Sequence, residues 1–366
     1  MSEEKFINQM EPWFDEKETN ACTKYMESGG WLMEFKKTRE FEKAICDYTG
    51  SKYCHIVNNG TISLSIALLA FDIKPQDKVI VPNFTMIASP NSVRLIGAEP
   101  VLVDVEEDTL CLDINKTEEL IKNDKSIKAV MHVSLNTRCN DIERLVEVCK
   151  KYNVRLLEDS AQSLGSFYNG KHLGTFGEIG SFSFSAPKII STGQGGALVT
   201  NSKTLSDKIW QIKNFGRSTG GNDIHDTFGI NCKTTDIQSI IGIEQMKKLP
   251  WRVKRIREIW NLYYSRLKDN KNIFMFEPRG DGWIPWFVDI YVENPTKLSS
   301  FLKDNKIGSR FVYPPIHKQK VYSELNNLSF PVTEKYSYKG IWLPSSTKLT
   351  DKQINNICDK ILHYFS

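Results

Sequence analysis

From Phe41 onward, helix-like and strand-like stretches alternate along the chain. Phe41–Tyr48 and Thr61–Phe71 read as helices, whereas Lys78–Val81 is a short apolar run of the kind a buried strand uses. Ser89–Ile96 reads as a helix, Val101–Asp104 as a strand, Thr117–Lys122 as a helix and Ile127–Val133 as a strand. Ile142–Tyr152 and Val154–Glu158 repeat the pair once more. Strands separated by helices of about ten residues build a mostly parallel sheet flanked by helices, an α/β fold. Ligands of such sheets bind beyond the carboxyl ends of the strands, so residues directly after strands are the first to examine for chemistry.

After residue 180 the texture changes. Short strand-like segments, with Ser181–Phe184 the clearest, lead to an amphipathic helix over Asp236–Lys248. Pro250 lacks an amide hydrogen and predicts a break there. A second helix, Trp251–Leu267, follows it, and Asp351–Phe365 closes the chain. The expected organisation is therefore a large domain over 1–249 and a smaller C-terminal α+β domain over 250–366.

Composition narrows the class. The 366 residues are 40% hydrophobic and 25% charged, which excludes collagen-like, coiled-coil and largely disordered chains. A net charge of +4 is too balanced for a dedicated nucleic-acid binder. The N-terminus is acidic where a signal peptide would be cationic. The longest apolar stretch, Ile62–Phe71, is about half of a membrane span. A cytoplasmic protein with no membrane partner is expected. Its eight cysteines form no CxxC pair and read as reduced thiols. No zinc-type spacing supports a metal site.

Two residues stand where chemistry is expected. Asp159 directly follows an apolar strand, and Lys188 follows Ser181–Phe184 and precedes the glycine cluster Thr192–Gly196. The small and apolar neighbours of Lys188 (Phe184, Ala186, Ile189, Ile190) predict a desolvated amine of lowered pKa, the kind that forms Schiff bases. A carboxylate after the neighbouring strand can keep a cofactor ring nitrogen protonated. Together they describe pyridoxal phosphate chemistry, in which the protonated ring is the electron sink. Asn58-Asn-Gly-Thr61 precedes a helix, with Gly60 in the turn and Thr61 as the expected cap, and a helix N-terminus suits a phosphate. The Ser183 hydroxyl is a further candidate for the same phosphate.

These segments, with Glu11-Pro-Trp13, Gly30–Phe35, Gly229-Ile-Asn231, Tyr313–His317 and Leu343-Pro-Ser345, resemble the DegT family of sugar-nucleotide aminotransferases over nearly the whole chain. The resemblance implies the fold-type I architecture of pyridoxal-phosphate transferases. It implies Lys188 as the Schiff-base lysine and proton carrier, Asp159 at the pyridine nitrogen, and Gln162 near the phenolic oxygen. Gly60, the Thr61 and Ile62 amides and the Ser183 hydroxyl would hold the phosphate. Asn231 would reach it from a neighbouring subunit, which implies a homodimer with shared active sites. Trp31, Tyr313 and His317 would touch substrate.

The resemblance is nearest to the perosamine/viosamine type. That implies amination at C4 of a GDP- or UDP-linked 4-keto-6-deoxyhexose, with L-glutamate as donor and 2-oxoglutarate as co-product. A sugar 3-aminotransferase and a non-catalytic homologue are the alternatives. A dehydratase of the same fold is a third, but such relatives carry histidine in place of the lysine. Two departures stand out. Met86 replaces the aromatic residue that usually covers the ring, where a thioether can serve. Thr137 replaces a common glycine, and because β-branched residues resist positive φ, a remodelled loop is expected there.

Other signals carry less. Gly165–Lys171 resembles a P-loop but has His172 where the magnesium hydroxyl is needed, so Asn169-Gly170 reads as a hairpin turn. The basic run Lys247–Arg257 has apolar residues at helical spacing, which makes its charges a solvated helix face.

Overall fold

The computed structural model describes residues 5–219, 223–277, 280 and 282–366. Its strands are β1 (Tyr53–Val57), β2 (Lys78–Pro82), β3 (Glu99–Val103), β4 (Ile127–Val133), β5 (Arg155–Asp159), the hairpin β6 and β7 (Phe167–Tyr168, Lys171–His172), β8 (Ile179–Ser183) and β9 (Gly196–Thr200). β10 (Asp289–Tyr291), β11 (Arg310–Phe311) and β12 (Gly340–Trp342) follow. The helices are α1 (Glu16–Glu27), α2 (Lys36–Thr49), α3 (Gly60–Ala70), α4 (Ala88–Leu95), α5 (Ile114–Asn123), α6 (Ile142–Tyr152) and α7 (Lys203–Lys213). Beyond them lie α8 (Asp236–Leu267), α9 (Pro295–Asp304), α10 (Pro331–Ser337) and α11 (Asp351–Tyr364).

Seven strands form one sheet in the order β1-β9-β8-β5-β4-β2-β3. β9 alone runs against the others, since it pairs antiparallel with both β1 and β8 while the remaining pairs are parallel. This is the mostly parallel sheet that the alternating pattern predicts. The strands are almost wholly buried because helices cover both faces. One core lies around Val57, Leu64, Leu68 and Leu198, and another around Phe41, Phe182, Phe184 and Val199. Pattern reading passes over β1, β9, α1 and α7.

The chain differs from expectation at Pro250. A single helix, α8, runs through it. Pro250 itself is exposed, while the carbonyl it leaves without a donor belongs to buried Met246, so what carries the helix through the proline is the packing of its two halves. The first half of α8 buries Met246 and Leu249 against Phe41 and Ile45. The second half buries Ile256, Ile259, Tyr263 and Leu267 with β10, β12 and α11 in a separate core. We propose that these two cores mark two domains meeting within α8. The chain's beginning departs from the 1–249 division, because the Ile7 amide donates to the Lys306 carbonyl at 2.8 Å and Ile7 packs on the second core.

The basic run is also less solvated than its pattern suggests. Arg252 is buried and donates to the carbonyls of Ile189 and Trp13, and Lys248 is held by Glu18 at 2.7 Å. At Asn169-Gly170 both residues have positive φ (48° and 77°) between β6 and β7, the backbone of a tight hairpin. All eight cysteines are free thiols.

Candidate active site

β4, β5 and β8 are parallel neighbours, so Val133, Asp159 and Ser183 arrive at one edge of the sheet. There the start of α3 approaches them. Asn59, rather than Thr61, caps the helix: its Oδ1 accepts the Ile62 amide at 2.9 Å. The Gly60 and Thr61 amides are left as the orphan donors of the first turn. Two glycines permit the approach. A Cβ on Gly60 would stand 2.9 Å from Ser183 Cβ, and one on Gly196 would stand 2.6 Å from the carbonyl carbon of Asn59. The result is a concave cavity of about 560 Å³ that brings together Gly60, Thr61, Met86, Asp159, Gln162, Ser183, Lys188 and Tyr313.

The two ionisable groups of its floor are both perturbed. Lys188 keeps some surface toward the cavity but is enclosed by protein, and burial brings its amine down to about 8, against the opposing pull of Asp159. Arg310, also at the cavity wall, lowers it further. The Lys188 ammonium lies 4.2 Å from the centre of the Trp286 ring. Burial pushes the Asp159 carboxyl up, while hydrogen bonds from Ser89 Oγ at 2.7 Å and the Ala161 amide at 3.2 Å, together with the charge of Lys188, pull it back down. Gln162 Oε1 accepts the Asn136 amide, and its Nε2 donates to Tyr313 Oη at 3.4 Å. Glu158 alternates to the other face of β5. It is fully buried, accepts the amides of Gly174 (2.7 Å) and Gly177 (2.6 Å), and is pushed up to about 7 by burial.

Some expected residues lie elsewhere. The Ile62 amide is used by the Asn59 cap and is not free for a ligand. His317 is fully buried outside the cavity: its Nε2 is paired with Glu334 at 2.9 Å, and its backbone amide donates to Asn83 Oδ1 at 3.0 Å. It ties the tail to Asn83, just after β2, because Ile316 and His317 fold down over that residue. Trp31 stacks on Phe35 with ring centres 5.4 Å apart and faces solvent, away from the cavity of its own chain. Asn231 is likewise exposed and bridges to Asn214. Thr137 has a φ of 65°, the left-handed backbone that a β-branched residue is expected to resist. Its Oγ1 donates to the Ile284 carbonyl, and Asn136 beside it exchanges two hydrogen bonds with the Phe287 backbone. Those contacts hold the left-handed backbone against the cost of a β-branched side chain.

Ser89, Trp286 and Arg310 were not singled out by the sequence. Ser89 sits in a helix that pattern alone treats as packing, and the other two come from the C-terminal third of the chain, far from Lys188 in sequence. The only available signal was the aromatic cluster around Trp286 and the nearness of Arg310 to Tyr313.

The pieces suit pyridoxal phosphate. The paired orphan amides and the Ser183 hydroxyl could donate to a phosphate, Asp159 could accept a ring N–H, and the lysine is an amine of lowered pKa fit for Schiff-base formation. The chain matches the DegT/DnrJ/EryC1/StrS aminotransferase family over residues 12–362. It is 33% identical over 369 residues to the GDP-perosamine synthase of Escherichia coli O157:H7, with 99% of both chains covered. It is 31% identical over 347 residues to the dTDP-3-amino-3,6-dideoxy-alpha-D-galactopyranose transaminase of Aneurinibacillus thermoaerophilus, with 94% of both covered. Its fold superposes on Helicobacter pylori PseC, an aminotransferase involved in the biosynthesis of pseudoaminic acid, with a TM-score of 0.92 at 26% identity over 99% of both chains. A lysine and a carboxylate poised at one sheet edge and a family match over nearly the whole length lead to one conclusion: the chain belongs to the DegT/DnrJ/EryC1/StrS family and is a pyridoxal-phosphate-dependent transaminase.

Proposed function

We propose that the enzyme moves the amino group of L-glutamate to C4 of a GDP- or UDP-linked 4-keto-6-deoxyhexose, releasing 2-oxoglutarate and the 4-amino-4,6-dideoxy sugar. The observation that carries this reading is the end-to-end similarity to GDP-perosamine synthase, spanning the Lys188 and Asp159 segments alike. Bound pyridoxal phosphate supplies the carbonyl that carries the amino group and the ring that takes up the electrons of the broken C–H bond. Lys188 Nζ takes the α-proton of glutamate and later returns a proton to C4 of the sugar. Its lowered pKa leaves a useful share of neutral amine near neutral pH. Asp159 holds the ring nitrogen protonated. The Gly60 and Thr61 amides and Ser183 would hold the phosphate, Met86 would cover the ring, and Gln162 would reach the phenolic oxygen. Tyr313 stands where a sugar would enter.

Trp31 and Asn231 serve the cavity of a second subunit in this reading, giving a homodimer with shared sites. What supports it is an exposed apolar run, Trp31 (62%), Leu32 (49%) and Met33 (54%), of the kind that marks an interface. No helix among the described residues is long and apolar enough to cross a membrane.

Amination at C3 is the second reading, supported by the 31% identity to the 3-amino-sugar transaminase. The test is mass spectrometry and NMR of the products formed from purified enzyme, pyridoxal phosphate and glutamate. The acceptors are equimolar GDP- and UDP-4-keto-6-deoxyhexose, with dTDP-3-keto-6-deoxyhexose in a parallel reaction. An amine at C4 of one 4-keto sugar is expected. Amination of the 3-keto sugar alone would replace this reading with the second.

A further inference from the structure

We propose that Ser89 is a positioning residue for transamination: its hydroxyl, oriented by Thr85, holds the Asp159 carboxylate in place against the cofactor ring nitrogen. This rests on the dependence on pyridoxal phosphate and is independent of which sugar is aminated.

Ser89 lies in the first turn of α4 and is fully buried, as is Thr85 just before that helix. Ser89 Oγ donates to Asp159 Oδ2 at 2.7 Å, and Thr85 Oγ1 stands 3.0 Å from Ser89 Oγ. A hydroxyl has a single proton to give. With that of Ser89 given to the carboxylate, Thr85 is the donor between the two hydroxyls. The direction of the relay is therefore Thr85 to Ser89 to Asp159. On the other oxygen, Oδ1, the Ala161 amide is a longer partner at 3.2 Å. The carboxylate is thereby fixed from two sides, with lone pairs to spare for a ring N–H.

The segment has a second task. Met86, between Thr85 and Ser89, lines the cavity together with Thr85 and Ala88, where a ring face would lie. One stretch of five residues thus sets both the cover of the ring and the seat of its carboxylate partner. The charged and titratable groups that face Asp159 from other elements are Lys188, after β8, and Tyr313, in the smaller unit. Neither replaces the Ser89 hydrogen bond, because both stand on the cavity side. Losing that bond removes a donor that favours the charged carboxylate, so protonation of Asp159 moves to higher pH.

The experiment compares wild type with Ser89→Ala and Thr85→Val. Three quantities are read: the dissociation constant of pyridoxal phosphate for the apoenzyme, the pH dependence of the cofactor's visible absorbance, and the single-turnover reaction with glutamate alone. For Ser89→Ala the maximal rate with glutamate is expected to fall about 10-fold or more, the scale of a lost hydrogen bond to a charged group. Half-saturation by glutamate should hold within about 2-fold, and the acid limb of both pH profiles should move to higher pH. Thr85→Val keeps the Ser89 hydroxyl and should shift the same quantities in the same direction by less. It also serves if the alanine variant does not fold. Wild-type acid limbs in both variants, whatever their melting temperatures, would overturn the proposal and leave Ser89 a packing residue. Since no sugar is present, failure of the sugar assignment leaves this result untouched.

Discussion

The Lys188 ammonium lies 4.2 Å from the centre of the Trp286 indole ring, and Trp286 Nε1 donates at 2.8 Å to the carbonyl of Pro187, the residue just before the lysine. One side chain from the smaller unit thus seats the reactive amine and clasps the loop that carries it. Phe287 stacks beneath with ring centres 3.9 Å apart, so the indole has little freedom to turn.

That seat has a pH consequence. The Lys188 amine titrates at about 8, and only its neutral form attacks an aldehyde. The rate at which apoenzyme takes up pyridoxal phosphate should rise with pH and level off above about 8. Arg310→Gln removes a charge that lowers the amine, so its profile should move to higher pH. Lys188→Ala should abolish turnover while leaving non-covalent cofactor binding. Stopped-flow absorbance measures the first two, and turnover by the alanine variant would refute the role of the lysine.

Asp159→Asn separates function from stability. The carboxylate is enclosed and burial opposes its charge, so an amide of equal size relieves the fold. The ring nitrogen meanwhile loses its ionic partner. Activity with glutamate should drop at least about 100-fold, on the scale of a general acid–base contribution. The melting temperature of the apoprotein should stay level or rise. A variant within a few-fold of wild type would contradict the assignment.

Gly60→Ala tests the phosphate cradle. The new Cβ would stand 2.9 Å from Ser183 Cβ, forcing the start of α3 away from β8 and spreading the donors on either side. Pyridoxal phosphate affinity should weaken about 10-fold or more, near 1.4 kcal/mol. The helix itself is not weakened, since alanine outranks glycine by roughly 1 kcal/mol in a helix. Fluorescence titration of the apoenzyme measures the change.

His317→Ala should damage the fold and spare the kinetics. The ring is fully buried and hydrogen bonded to Glu334 outside the cavity. Its removal should cost about 1–3 kcal/mol of stability by stranding buried partners. KM for both substrates should hold within about 2-fold, on the scale of a residue outside the site. A selective rise in the KM of the sugar nucleotide would return His317 to a substrate role.

Acid should weaken the apoprotein from about pH 6.5 downward, where unfolded histidines take up protons. Burial pushes His55 down to about 3 and both His132 and His172 down to about 4, and it lowers His317 as well. Below about 6.5 His55, His132 and His172 take up protons in the unfolded chain and not in the folded one, so stability falls as the pH falls, and the lowering of His317 acts in the same direction. Glu158, raised to about 7, works the other way, as do Asp159 and Glu42, whose carboxyls burial also pushes up. The three strongly lowered histidines outweigh Glu158 between pH 7 and about 5. Urea midpoints across that range should decline, and a flat or rising series would show the histidines to be accessible.

Much of this was legible from the residues alone. The order of apolar runs specified a parallel sheet, because period and length are local properties of a chain. Asp159 and Lys188 were legible for a related reason: Asp159 closes β5 and Lys188 lies five residues beyond β8, and the parallel topology then carries both to one edge. The phosphate cradle was readable as a glycine before a helix, although the cap fell to Asn59 and not to Thr61. Three features needed the fold. Pro250 did not stop α8, because each half of that helix is buried in a core of its own, and such packing is not a local property of the sequence. His317 left the cavity because Asn83, 234 positions away, receives it. Ser89, Trp286 and Arg310 entered the site through contacts whose partners lie 70 to more than 100 residues distant or in the other unit. Local pattern reports the period of an element and the chemistry at its ends. Which distant side chain seats a lysine or holds a carboxylate is settled only when two elements pack, since burial and hydrogen-bond geometry are properties of the pair.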